Sequence, residues 1–137
     1  MGSLSTTLRK SCGTAVHRCG ITPQIARNAY TSVGCSPDFG RYINVIDGRL
    51  VSACPVYVLA LAAGMDVARL AAGSEQGLRP EIAEALGLSG SYAFGFNGGW
   101  FGVPPRHSAA NEDARQGWRD GSECHAAFAG CGSNYVG

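Results

Sequence analysis

Cys54 stands in Ser52-Ala53-Cys54-Pro55, where a β-prone segment hands over to a helix that Pro55 opens. A thiol at a helix N-cap faces the positive end of the helix dipole, which favours the nucleophilic thiolate. A cysteine-dependent hydrolase or transferase would add a histidine base and a group to orient it. His107 and His125 supply candidate bases, and Asn111, Asp113 or Asp120 candidate orienting groups. No short signature of a Ser or Cys nucleophile links them. The competing reading is that Cys54 is a small buried hydrophobe, the usual role of a free cysteine.

Two cysteine pairs repeat one separation: Cys12 with Cys19 and Cys124 with Cys131. Seven residues along an α-helix return almost to the same face about 10 Å further on, so each pair marks a stripe and one metal cannot reach both members. Zinc ligands held within one segment sit two to four residues apart. On a helix His17 points about 140° from Cys12 and His125 about 100° from Cys124, so imidazole and thiol diverge and no metal or cofactor is expected. Three states stay open for the four cysteines: free thiols in the core, cross-helix disulfides in either pairing, or ligands. The expected arrangement lays the first and last amphipathic segments together, thiol edge to thiol edge.

The third group of residues is aromatic. Phe94, Phe96, Trp100 and Phe101 alternate with Gly95, Gly98, Gly99 and Gly102. Large aromatics flanked by glycine suit a binding hot spot, and they equally suit the plug at the end of a core. The segment reads as a close-packed helix turn or an aromatic loop. The glycines match neither phosphate-binding fingerprint, because Gly95-Phe-Asn-Gly-Gly lacks both the Lys-Ser/Thr ending and the flanking strand.

The elements that position these residues follow from caps and periodicity. Ser3 or Ser5 caps a first helix carrying Leu8, Cys12, Ala15, Val16 and Cys19, closed by Gly20. Thr22-Pro23 opens a second, closed by Gly34. Asp47-Gly48 between Arg41–Ile46 and Arg49–Ala53 is a hairpin signal, and a two-residue turn opposes Val45 to Leu50, Asn44 to Val51, Ile43 to Ser52 and Tyr42 to Ala53. Pro55–Ala63 is apolar nearly all round and is expected at the centre of the core. Short helices follow over 66–72 and from Pro80 to Gly87. Ser108 caps a last helix of roughly Ala109–Ala129, in which Gly117 and Gly121 invite another helix to approach closely. Their spacing echoes Gly95 and Gly99, a match too short to establish a repeat.

At 137 residues the chain is sized for a single domain, 1–137, able to bury about two-thirds of its unfolded surface. Apolar residues make up 45% and charged residues only 15%, and the net charge is +1. The basic residues are scattered, which disfavours nucleic acid as a partner. No apolar run reaches the 18 residues of a membrane span and the start lacks a secretory pattern, so a soluble, cytoplasmic protein with reduced thiols is expected. Met1-Gly-Ser-Leu-Ser-Thr6 matches the pattern for N-myristoylation at Gly2, a pattern loose enough to arise by chance. Lys10 is the only lysine, an Arg-rich usage common in GC-rich bacteria and their phages.

The stretch Asp47-Gly-Arg-Leu-Val-Ser-Ala-Cys-Pro-Val-Tyr-Val-Leu-Ala-Leu-Ala-Ala-Gly64, with Ile82-Ala-Glu-Ala-Leu-Gly-Leu88 and Phe96-Asn-Gly-Gly99, resembles a pattern in small uncharacterised actinobacterial and phage proteins. These share a Cys-led apolar helix, an Ala-Leu-Gly-Leu helix and a Phe/Leu-Asn-Asp/Gly turn. The resemblance implies no activity, and Gly98 departs from the Asp that many of them carry. The expectation is a mainly α domain of five to seven helices with one small β-hairpin around Asp47-Gly48. Its expected role is non-enzymatic: binding another protein, or itself, through Phe94, Phe96, Trp100 and Phe101. The alternative is the hydrolase or transferase built on Cys54 with His107 or His125.

Overall fold

The computed structural model describes residues 20–73, 80–105 and 111–130. In chain order these form α1 (Pro23–Val33), β1 (Ser36–Pro37), β2 (Ile43–Ile46), β3 (Arg49–Ala53), α2 (Pro55–Ala62), α3 (Val67–Gly73), α4 (Pro80–Leu86), α5 (Gly90–Phe101) and α6 (Glu112–Gly130). The fold is mainly helical with a small sheet, as the periodicity predicts. The expected helix bearing Cys12 and Cys19 lies outside the described residues, as do Gly2, His17, His107, Ser108 and Cys131.

Local chemistry explains most boundaries. The Thr22 hydroxyl accepts from the Ile25 N–H at 3.1 Å, Pro23 takes the first helical position, and Gly34 ends α1 in the left-handed region at φ 84°. Pro55 opens α2, whose residues Val56 to Ala60 are all fully buried. A helix without a polar face has no side to offer water, and α2 accordingly packs against α1 and α4 in the centre of the core.

The hairpin turns at Asp47 (φ 52°) and Gly48 (φ 75°), two positive φ angles in succession that match the strand twist. Val45 pairs with Leu50 as expected, but a bulge then shifts the register, so that Asn44 opposes Ser52 and Ile43 opposes Ala53. Val51 is the extra residue, and it is exposed. The bulge turns Ser52 and Ala53 inward together with Cys54, which a regular two-residue period would not allow. Periodicity also misses β1, which pairs parallel to β3 and completes the order β1-β3-β2.

Residues 90–101, ambiguous as sequence, form a continuous helix that Ser89 caps by accepting from the Tyr92 N–H at 3.0 Å. It lies against α6 in the most extensive helix contact among the described residues. A Cβ on Gly95 or Gly99 would collide with the carbonyl of Ala114 or Trp118, and one on Gly117 or Gly121 with the carbonyl of Tyr92 or Phe96. The two glycine pairs therefore let the helix backbones touch, a separation that any side chain would forbid. The α6 start corrects the sequence reading: the helix begins at Glu112, and the Asn111 side chain caps it by accepting from the Ala114 N–H at 2.8 Å.

At the other end of this hairpin of helices, the Tyr92 hydroxyl accepts from the Ile21 N–H at 2.8 Å and donates to Asp120 at 2.5 Å. Asp120 also accepts from Gln116 at 2.9 Å. Residues 20 and 21 are thus pinned to both α5 and α6. Among the described residues no helix is long and apolar enough to cross a membrane.

Candidate functional site

The cysteine that the alternative reading makes a nucleophile is at its expected place but in the wrong environment for that chemistry, and it sits as the small buried hydrophobe of the competing reading. Cys54 is the N-cap residue of α2 and is fully buried. Burial pushes its thiol up to about 12, and the nearby N–H groups of Val56 and Tyr57 only partly oppose that. Desolvation of the thiolate outweighs the helix dipole here, because the dipole effect is modest and burial removes water altogether. Its polar neighbour is Asn97, whose Oδ1 lies 3.9 Å from the sulfur. Asn97 is itself buried, and its Nδ2 has no hydrogen-bond partner among the described residues.

His125 is held elsewhere. Its Nδ1 lies 2.7 Å from the Trp100 carbonyl oxygen, and since a carbonyl only accepts, Nδ1 carries the proton. The ring stands edge-on to Phe39 and Trp100 at centroid distances of 4.9 and 6.1 Å. The imidazole thus satisfies a carbonyl near the end of α5. No hydrogen bond joins it to Cys54 among the described residues. Cys124, one member of the expected thiol stripe, is fully buried on α6 and its thiol is pushed up to about 12 by burial. Cys35, half-buried, is pushed up to about 11. Among the described residues no group of three His, Cys, Asp or Glu side chains is placed to hold a metal ion.

The expected aromatic surface divides in two, and the division follows helix geometry. Phe96 and Trp100, four residues apart, share the inner face of α5 and are fully buried, which corrects their assignment to a binding surface. Phe94 and Phe101, seven apart, share the opposite face about 10 Å from each other along the axis. Phe94 is 57% exposed and Phe101 is half-buried.

Trp100 acts from within by positioning the loop between β1 and β2. Its indole N–H donates to the Asp38 carbonyl at 2.7 Å, and Phe39 stacks on its ring at 4.5 Å. Asp38 folds the same loop through its side chain: Oδ1 accepts from the Gly40 and Arg41 N–H groups at 2.9 Å each, and Oδ2 accepts from the Ser52 hydroxyl at 2.7 Å. Tyr42 stacks on the buried Tyr57 at 5.3 Å and meets Phe101 edge-on at 5.4 Å.

These contacts leave a shallow depression of about 300 Å³ walled by Phe39, Gly40, Arg41, Tyr42 and Phe101. Among the described residues Arg41 is the only charged one on its wall, exposed and steered by a 2.8 Å hydrogen bond from Nη1 to the Asn44 side chain. Sequence reading named Phe101 and missed the other four. The available signal was Ser36-Pro-Asp-Phe-Gly-Arg-Tyr42, in which two aromatics and an arginine sit on a turn that Asp38 can close.

No protein-family model, curated protein or solved structure matches this chain.

Proposed function

We propose that the chain is a non-enzymatic binding protein that engages another protein through the depression between the β1–β2 loop and the end of α5. The observation that carries this reading is that two of the three aromatic walls, and the loop that bears them, are fixed from behind. Phe39 is backed by Trp100, Tyr42 by Tyr57, and the loop itself by Asp38. Walls already ordered in the free protein lose little entropy when a partner binds, which is what makes a small site effective. Phe94 extends the same helix face beyond the depression and enlarges the apolar area available to a partner. The competing hydrolase reading, with Cys54 as nucleophile, has against it a thiol that is enclosed and protonated near neutral pH.

Selection of a phage-displayed random peptide library on the intact chain tests the proposal. Gly40→Arg is the blocking variant: Gly40 is exposed, and only Asp38 Oδ1, at 3.9 Å, lies near an added Cβ, so the substitution fills the mouth and spares the core. Selected peptides should lose at least about tenfold in affinity on Gly40→Arg, about 1.4 kcal/mol. Absence of enrichment, or peptides that bind Gly40→Arg equally well, would overturn the reading. So would a concentration-dependent dimer that Gly40→Arg abolishes, since the face would then serve self-association.

A further inference from the structure

Among the described residues the wall of the depression carries one charge and three aromatic rings, and together they define a ligand chemistry. We infer that its occupant is a peptide segment of a partner protein in which an Asp or Glu carboxylate neighbours an aromatic or long aliphatic side chain. The inference rests on the binding function proposed above and assigns its specificity.

The argument begins with Arg41. Asn44 occupies only Nη1, so the guanidinium keeps further N–H donors in a planar fork that matches a carboxylate. Among the described residues no ion pair joins Asp38 to it: the Asp38 Oδ1 accepts from the Gly40 and Arg41 backbone N–H groups and the Oδ2 from the Ser52 hydroxyl. Those bonds also deny the Gly40 and Arg41 amides to a ligand, and the side chain of Arg41 is the cation on the wall that discriminates charge. The cation is therefore preorganised yet uncommitted, and a ligand carboxylate is its complement.

The remaining wall selects an apolar neighbour. Phe39, Tyr42 and Phe101 border an open volume of about 300 Å³, at the small end of ligand sites, which suits one large side chain with its adjacent acidic residue. Edge and face positions of fixed rings favour an aromatic or long aliphatic group by stacking and burial.

The test uses two matched probes, N-acetyl-Asp-Phe-amide and N-acetyl-Asn-Phe-amide, titrated into the isotope-labelled full chain and read by amide chemical-shift changes. The Asp probe should move resonances of residues 39–42 and 101 and bind about tenfold more tightly than the Asn probe. The preference should vanish in Arg41→Gln, persist in reduced form in Arg41→Lys, which keeps the charge but not the planar fork, and weaken as salt is raised, because the pair is partly exposed. Equal binding of both probes at these residues would overturn the charge assignment while leaving the binding site standing. Absence of any shift at residues 39–42 and 101 with either probe would overturn both.

Discussion

Replacing Gly121 by alanine sets two physical effects against each other and shows which governs this fold. In an isolated helix the substitution is favourable by about 1 kcal/mol, because glycine loses more backbone freedom on folding. Here the new Cβ would collide with the Phe96 carbonyl oxygen and stand 2.9 Å from both the Phe96 carbonyl carbon and the Trp100 nitrogen. Carbon contacts settle at about 3.5–4.0 Å, so α5 and α6 must part by about 1 Å, and a gap of that size forfeits up to about half of each dispersion contact along the seam. The obstacle is backbone, which has no rotamer to escape into. Overpacking costs about 1–3 kcal/mol, and a clash with backbone on both sides of the seam falls in the upper part of that range, about 2–3 kcal/mol, which cancels the propensity gain of about 1 kcal/mol and leaves a net loss of about 1–2 kcal/mol. For a chain of this length each kcal/mol moves Tm by about 3–6 °C, so Gly121→Ala should melt about 3–12 °C lower by circular dichroism. Gly90→Ala is the control, since a Cβ there meets nothing within 4 Å and its Tm should stay level or rise. Gly99→Ala with Gly121→Ala should lose less than the sum of the single losses, because helices parted once accommodate the second methyl. A Gly121→Ala chain that melts above the parent would refute the close approach of α5 and α6.

Two further outcomes follow from the thiols. Under native conditions at neutral pH, iodoacetamide mapped by peptide mass spectrometry should label half-buried Cys35 before Cys54 and Cys124, both fully enclosed; rapid, selective labelling of Cys54 would restore the nucleophile reading. Stability should also fall in alkali. Cys54 and Cys124 are raised by burial from 9.0 to about 12, and Tyr30 and Tyr92 are raised above 10.0, chiefly by burial. A group raised in the folded state contributes stability that is whole below its unfolded pKa and is lost as pH climbs toward the folded one, so urea midpoints should hold to about pH 9 and decline between about 9 and 12. A midpoint that stays constant across that window would contradict the burial of these thiols.

Much of the secondary structure is legible in single residues. Thr22-Pro23, Gly34, Asp47-Gly48, Pro55 and Pro80 act through steric limits on their own backbone or their immediate neighbours, and such signals survive without tertiary context. The bulge at Val51 is not legible that way, because it depends on Ser52 and Ala53 both having to face inward beside Cys54. The strand Ser36–Pro37 is equally hidden, since two residues carry no period and only the partner β3 makes them a strand. The helix over 90–101 is a middle case: the glycines argue against it locally, and the spacing of Gly117 and Gly121 hints at the helix that makes those glycines favourable.

The candidate site shows the same division. Composition and spacing alone determined a mainly helical chain, an apolar α2 at its centre and an aromatic cluster near α5, because hydrophobic periodicity and caps are properties of neighbours along the chain. Which aromatics meet a ligand was decided only in three dimensions. Trp100 and Phe96 turned inward once 90–101 became a helix packed on α6, and Trp100 then reached across the fold to hold Asp38 and Phe39. Arg41, Tyr42 and Phe101 became one wall although about sixty residues separate them, because side-chain burial, unlike helix capping, is decided by parts of the chain that no local pattern connects.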